Sequence, residues 1–272
     1  MEKISDYGVY TDGMRKSMAD KTWFLGKIDG AEGIVDYGCA DGALLQYISD
    51  AMPGVFDLTG IDIDEEMLKL ASVNLKRDCD YPVSLCTPKE YVKTSHPSHN
   101  ACLNCGSVIH EVYSYGTVDS IEAFWNFIFD SGFKYVAIRD MAISKVESKV
   151  ADSVRQEAID KIRFYNNEHP EAERRFSEFL SYYDIPNPYD MRWHDVIHYL
   201  LKYRYITNWN REMKEDYLPL CIEEVLLKIP DNYRVKYYTP YTLPFLKDQV
   251  LKDFGIDLNT KTHYKLLLER CE

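Results

Sequence analysis

The chain has 272 residues and a mass of 31.8 kDa, the size of one large domain or of a domain carrying a substantial insertion. Acidic residues outnumber basic ones by 44 to 32, a formal charge of −12, which excludes a surface that is basic all over and disfavours generic electrostatic binding of nucleic acid, though not a local basic patch. With 46% hydrophobic and 14% aromatic residues, the composition is that of a folded globular protein and excludes a disordered tail.

No apolar run approaches the roughly 20 residues that span a bilayer, and residues 1–10 lack the apolar core of a signal peptide. Seven cysteines, an odd number in a chain this long, argue for free thiols in a reducing compartment. A soluble, cytoplasmic protein without a membrane partner is expected. Cys102 and Cys105 form one C-x-x-C without the second pair that a zinc site usually needs, so they read as small residues of a buried strand.

In chain order, residues 15–29, with Met18, Trp23, Phe24, Leu25 and Ile28 apolar, predict an amphipathic helix that stops near Gly30. Residues 33–38 predict a strand that ends at glycine and passes through a turn into a helix over 41–50. A second strand over 56–62 and a helix over 65–76 repeat the unit. Further strands are predicted over 82–86, 101–105 and 134–139, with a helix over 118–130. Repeated strand-then-helix units need crossovers, so the fold class is α/β, doubly wound, with a mainly parallel sheet. Over 142–230 the pattern turns helical: Val146, Val150, Val154, Ala158 and Ile162 recur every four residues. Phe176, Phe179, Leu180 and Tyr183 predict a second helix, and Val196, Ile197, Leu200 and Leu201 a third. Strands return over 233–238 and 263–268 around a helix over 243–253. Residues 1–141 and 231–272 therefore read as the core, and 142–230 as a helical insertion between strands 5 and 6, a cover for the substrate.

The strongest local signal is Val35-Asp-Tyr-Gly-Cys-Ala-Asp-Gly42 between a strand and a helix. Small residues at 38, 40 and 42 let the backbone turn tightly and approach a ligand, beside the unpaired amides of a helix start. Asp62, twenty residues beyond Gly42 and at the end of the second strand, suits the two hydroxyls of a ribose. Dinucleotides and S-adenosylmethionine both fit such a pair. A dinucleotide fingerprint starting at Gly38 needs glycine at 40 and glycine or alanine at 43, whereas the chain has Ala40, Gly42 and Ala43. Asp36, two residues before the turn, suits a ligand with an amino group and a sulfonium better than a pyrophosphate.

On these residues, Asp36-Tyr-Gly-Cys-Ala-Asp-Gly42 and Gly60-Ile-Asp62, the chain resembles the Rossmann-like (class I) S-adenosylmethionine-dependent methyltransferases over residues 15–141 and 233–268. Ala40 replaces the middle glycine of the motif and adds one methyl group. The resemblance implies a seven-stranded sheet with an antiparallel last strand and S-adenosylmethionine as cofactor. It also implies that Asp36, Gly38, Cys39, Ala40 and Gly42 hold the methionine moiety, with Cys105 nearby at the end of the fourth strand. Asp62 would then hold the ribose, Ile63 would pack on the adenine, and Thr87 and Pro88 would lie near its amino group.

By the same resemblance His110 and Glu111, after the fourth strand, stand near the transferable methyl. His110 could take a proton from the attacking hydroxyl or amine while Glu111 orients it or binds the nucleophile; alternatively, His110 caps a helix and lines the pocket, with catalysis by proximity. The Asn/Asp-Pro-Pro-Tyr motif of exocyclic-amine DNA methyltransferases does not stand in this loop. Arg139, ending the fifth strand beside Asp140, reads as a substrate contact or a local salt bridge. Tyr10, with Arg15 and Lys16, reads as a substrate contact or a solvated helix start.

The insertion carries 13 basic and 16 acidic residues, making it less acidic than the remainder. Over 192–214, Arg192, Lys202, Arg204, Arg211 and Lys214 interleave with Trp193, Tyr199, Tyr203, Tyr205 and Trp209. This is either a patch that stacks bases, with Trp209 and Arg211 touching substrate, or an amphipathic helix with its tyrosines inward. His194 and His198 are four apart, but no glutamate motif accompanies them and no metal is expected. The expected function is methyl transfer to an oxygen or nitrogen of a small molecule. The alternatives are an RNA or nucleotide methyltransferase using 192–214, and a non-catalytic S-adenosylmethionine-binding protein. The sequence leaves the oligomeric state open.

Overall fold

A computed structural model describes residues 18–78, 82–93 and 99–271. A one-turn helix, α1 (Met18–Lys21), precedes β1 (Gly33–Tyr37), α2 (Ala43–Ala51), β2 (Asp57–Ile61), α3 (Glu65–Asp78), β3 (Val83–Cys86), α4 (Pro88–Lys93) and β4 (Ala101–Gly106). Then come α5 (Ile109–Tyr115), α6 (Val118–Asp130) and β5 (Tyr135–Met141). The helical block holds α7 (Asp152–Glu168), α8 (Pro170–Tyr182), α9 (Trp193–Lys202), α10 (Trp209–Lys214) and α11 (Ile222–Leu226). The chain closes with β6 (Tyr233–Tyr241), α12 (Pro244–Phe254) and β7 (His263–Arg270). Among the described residues no helix is long and apolar enough to cross a membrane.

The strands form one seven-stranded sheet in the order β3-β2-β1-β4-β5-β7-β6. Strands β1 to β5 pair in parallel and β7 runs antiparallel to both β5 and β6. Both faces are covered, which is why the strands read as near-continuous apolar runs. Ile34, Leu45, Ile48, Leu58 and Leu267 pack on one face, and Val35, Leu103, Phe124, Ile138 and Leu266 on the other. The order reverses between β1 and β4, opening a crevice at the carboxyl ends of the strands. Register puts Asp36 of β1 level with Gly60 of β2 and Asn104 of β4 at that crevice.

Two predicted helices differ from those observed. The helix expected over 15–29 shrinks to α1 and a 3-10 turn, Leu25–Lys27, with residues 15–17 outside the described residues. The Thr22 backbone N–H and hydroxyl both donate to the Met18 carbonyl at 2.9 and 2.8 Å, closing α1 after one turn. Val146 and Val150 precede α7, and Val146 is 77% exposed. A step of four residues advances about 40° beyond one helical turn, so apolar residues repeated every four wind off a single face. The face that packs is Ala158, Ile159, Ile162 and Asn166.

The core of the helical block is not confined to it. Phe176, Phe179, Trp193, Ile197 and Leu200 share one cluster with Leu246, Val250 and Phe254 of α12. The insertion therefore packs on the segment between β6 and β7, across the boundary expected at residue 230.

Candidate active site

The turn after β1 is fastened to the end of β2. The amides of Gly38 and Cys39 both donate to the Ile61 carbonyl at 2.8 and 3.0 Å, and the Ala40 amide donates to Asp62 Oδ2 at 2.8 Å. Gly38, Ala40 and Gly42 all have positive φ, 78°, 47° and 80°. The Ala40 methyl therefore does more than add bulk, since left-handed backbone costs a residue with a Cβ roughly 1–2 kcal/mol. Close approach is possible because Gly60 has no side chain. A Cβ there would lie 2.7 to 2.8 Å from Leu85, Cys39 and Leu45.

Asp62 also accepts the Asp64 amide at Oδ1, 2.9 Å. A carboxylate offers about four acceptor positions, so two remain for hydroxyl donors. Burial raises the Asp62 pKa, against the Asp64, Ala40 and Ile63 amides that lower it. Ile63 beside it is 79% exposed, an apolar side chain at the mouth of the crevice. Thr87 caps α4: its amide and hydroxyl both donate to Glu90 at 2.8 Å, with Pro88 in the first turn. This capping box accounts for both residues locally.

Beneath the turn lies a pocket lined by Met18, Lys21, Asp36, Gly38, Ala40 and Asn104. Asn104 Nδ2 donates to Asp36 Oδ1 at 2.7 Å, while Asn104 Oδ1 is buried without a hydrogen-bond partner among the described residues. Burial pushes the Asp36 carboxyl up to about 6, held back by Asn104 and by the Lys21 charge. A buried acceptor without a donor is rare in native proteins, so this atom marks a place for one. The sequence reading chose Cys105 and missed Asn104. Cys105 is fully buried, its side chain in the core with Leu103 and Ile138, so it makes no side-chain contact with a ligand. Successive strand residues face opposite sides, and the signal was the one polar residue inside Ala-Cys-Leu-Asn-Cys. Lys21, also missed, has its pKa lowered by burial, against Asp36, Asp41 and Glu111, which raise it.

Two residues beyond β4, α5 begins with its first turn pinned to β5. Asp140 accepts the Ile109 and Met141 amides at 2.7 and 2.8 Å and pairs with His110 Nδ1 at 2.8 Å. Burial lowers the His110 pKa, but Asp140, Glu111 and Glu215 outweigh it and raise it to about 9. A ring that keeps both protons at neutral pH has no lone pair with which to take another. This favours the positioning reading of His110 over the general-base reading.

The insertion brings α10 and the segment after it against α5. Arg211 Nε donates to Glu215 Oε1 at 2.9 Å, and its Nη2 lies 3.4 Å from Glu111 Oε1. The Tyr115 hydroxyl donates to Glu215 at 3.0 Å, and the Tyr217 hydroxyl donates to Glu212. Burial, with Glu215 alongside, pushes Glu111 and Glu212 each up to about 7. Ligand-type atoms of His110, Glu111 and Glu215 lie within 4.8 Å of one another. The sequence singled out His110, Glu111, Asp140 and Arg211 but not Glu215 or Tyr217, because nothing local ties residue 111 to residue 215.

The other expected contacts resolve differently. Arg139 is buried, donating to Asp20 and to Ser107 Oγ, both at 2.6 Å, and so ties α1 over the β4–α5 turn. Trp209 is 3% exposed and donates to Glu178 at 2.7 Å; it belongs to the insertion's core and not to a substrate surface. Tyr10 lies outside the described residues. Most of the basic-aromatic patch is buried, with Trp193, Tyr199, Tyr203, Trp209, Lys202 and Arg211 inside, while Arg204 and Tyr205 stay exposed and Arg192 pairs with Asp195 at the surface. His194 and His198 face the backbone: His194 Nε2 lies 3.1 Å from the Leu218 carbonyl, and His198 Nε2 accepts the Tyr217 amide at 3.1 Å.

No protein-family model matches the chain, and neither does any curated protein. Among solved structures, an inferred methyltransferase from Bacillus halodurans is 9% identical, with a TM-score of 0.52 over 94% of this chain and 100% of that one. An S-adenosylmethionine-dependent methyltransferase from Archaeoglobus fulgidus is 12% identical, covering 97% of this chain and 100% of its own, with a TM-score of 0.49. The plantazolicin methyltransferase BpumL, in complex with a triazolic desmethylPZN analogue and SAH, is 14% identical over 95% of this chain and 84% of its own, at 0.47. By the first of these and by its sheet order, the chain has the Rossmann-like, class I methyltransferase fold.

Proposed function

We propose that the chain is an S-adenosylmethionine-dependent methyltransferase acting on an oxygen or nitrogen of a small-molecule acceptor. The observation that carries this is the buried Asp36–Asn104 pair, with its orphaned amide oxygen, at the strand edge that also presents Asp62. Asp36 and Asn104 Oδ1 suit the cofactor's amino group and Lys21 suits its carboxylate. The two spare acceptor positions of Asp62 suit the ribose, and Ile63 the adenine. When bound, the cofactor supplies an electrophilic methyl group. The chain's own residues bind it, orient the acceptor in line and exclude water, which are the main sources of rate for such a transfer.

A small acceptor is favoured because the elements facing the crevice bury their charges against one another, as Arg211 does between Glu111 and Glu215. The nucleic-acid reading has less to rest on, because most cations and aromatics of 192–214 are buried and Arg204 and Tyr205 are left at the surface. Calorimetry with S-adenosylhomocysteine tests the proposal. Asp62→Ala should weaken binding by about 30- to 100-fold, the loss of roughly 2–3 kcal/mol of charge-assisted hydrogen bonds. Absence of binding by the unaltered protein would sink the reading. Binding without transfer of labelled methyl to any component of a cell extract would favour the non-catalytic alternative.

A further inference from the structure

We infer that Asp20 is a positioning residue of the cofactor pocket: it locks α1 onto the β5-β7-β6 half of the sheet and so sets Lys21 for the carboxylate of the cofactor. The inference rests on the methyltransferase reading and adds to it a residue that stands outside the pocket's lining.

A single turn of helix does not hold itself in water, because its nucleation costs more than its first hydrogen bond returns. Met18 and Lys21, three residues apart, share a face of α1, and both line the pocket with Asp36, Gly38 and Asn104. Asp20 lies on another side and reaches the sheet. Its Oδ2 accepts Arg139 Nε of β5 at 2.6 Å and the Tyr241 hydroxyl at the end of β6 at 2.7 Å, and its Oδ1 pairs with Lys265 Nζ of β7 at 2.5 Å. Arg139 and Lys265 are directly opposite each other in the β5–β7 register. Like charges in that relation repel, so the sheet needs a carboxylate laid across them, and α1 supplies it. Met18 gives α1 a foothold in the apolar core, which fixes its depth; the three contacts of Asp20 fix its rotation, and with it the direction of Lys21.

The side chains of Arg139, Lys265 and Asp20 are all more than three-quarters buried, so salt screens them less than it screens surface pairs. Burial raises the Asp20 pKa, but Lys265, Arg139 and Tyr241 outweigh it and lower it, which keeps Asp20 ionised at neutral pH. Arg139 carries the constraint to the opposite wall of the pocket. Its carbonyl accepts the Ser107 amide at 2.7 Å, and its Nη1 donates to Ser107 Oγ at 2.6 Å. Ser107 has a φ of 62°, a left-handed backbone that a residue with a Cβ keeps only where its surroundings impose it. Gly106, the residue before it, lines the pocket. One guanidinium thus fixes α1 through Asp20 and the turn after β4 through Ser107. A wall fixed before the ligand arrives need not be ordered on binding, which is how a residue outside the lining affects affinity.

The test is calorimetry with S-adenosylhomocysteine and with 5′-methylthioadenosine, which keeps the nucleoside and the thioether but lacks the amino and carboxylate groups. Asp20→Asn and Lys21→Met should each weaken S-adenosylhomocysteine binding by about tenfold or more, the scale of one charge-assisted hydrogen bond. The double variant should bind no more weakly than the worse single one, because Asp20 acts through Lys21. Binding of 5′-methylthioadenosine should stay within about twofold in every variant. Losses that multiply in the double variant, equal losses for the two ligands, or an unchanged S-adenosylhomocysteine affinity in Asp20→Asn would each overturn the inference and leave Asp20 a structural ion pair. Thermal melts check that the variants fold. If Asp20→Asn does not, Tyr241→Phe, which removes one bond to Asp20 and leaves its charge pairs, should show a smaller loss confined to S-adenosylhomocysteine, and a loss shared by both ligands, or none, overturns the inference. Failure of the unaltered protein to bind S-adenosylhomocysteine would instead remove the underlying reading.

Discussion

Two buried acids with opposite shifts define the chemistry residue by residue. Asp36 is desolvated until its carboxyl titrates near 6, yet the amino group it would bind is cationic and needs it ionised. Affinity for S-adenosylhomocysteine should therefore fall as the pH drops through about 6, by up to tenfold per unit below it. Asp36→Asn should bind weakly and with a flat profile, as a pH series of calorimetric titrations would read. Asp140 instead has its pKa lowered by His110, although burial opposes this. The His110 pKa, about 9 in the fold against 6.5 ordinarily, makes a contribution to stability that is fully present below 6.5 and lost as the pH rises through 9. At roughly 1.4 kcal/mol per unit this is on the order of 3 kcal/mol. Lys202, lowered to about 7 by burial, works in the opposite direction over part of that range. The measurement is thus a difference: urea unfolding of the wild type and of His110→Gln at pH 6.5 and 9.5 should show the gap between them closing at the higher pH. A constant gap would deny the ion pair this role.

Element by element, what was legible in the sequence was local. The strand, turn and helix around residues 33–51 show in glycine spacing and in periodicity, and the structure reproduces them as β1, the left-handed turn and α2. Gly60 was legible only as part of Gly-Ile-Asp. Its reason is tertiary, because the turn closes over the space a Cβ would fill. Gly60→Ala should destabilise by about 1–3 kcal/mol, the usual cost of overpacking. It should also weaken cofactor binding, since displacing Cys39 disturbs the Ala40–Asp62 bond. Unchanged melting and affinity would show that the turn can shift at no cost. The α5–α10 cluster was not legible for the converse reason. His110, Glu111 and Arg211 are visible as chemistry-bearing residues, but Glu212, Glu215 and Tyr217 acquire meaning only when α10 docks on α5. The aromatic residues of 192–214 misled in the same way, since a stripe that could stack bases and one that packs a helix inward are written with the same letters.

In the whole molecule, the length that exceeds a minimal domain is placed between β5 and β6, but its packing makes it part of the sheet's own scaffold. Leu246, Val250 and Phe254 of α12 complete the insertion's core, and α12 joins the two strands that end the sheet. Arg211 and Glu215 from the insertion also meet Glu111 of the core. Removing residues 144–229 and joining the ends would strip α12 of its apolar partners while leaving β6 and β7 to pair. At about 25 cal/mol per Å² of apolar surface returned to water, three large side chains alone forfeit several kcal/mol, a large share of the 5–15 kcal/mol that holds an ordinary domain. The shortened chain should therefore lose its single cooperative melting transition and associate on size-exclusion chromatography. It should also lose S-adenosylhomocysteine binding, even though every residue assigned to the cofactor is retained. If it melts cooperatively and binds S-adenosylhomocysteine like the full chain, the insertion is an independent cover, and the shared core with α12 is a contact without energetic weight.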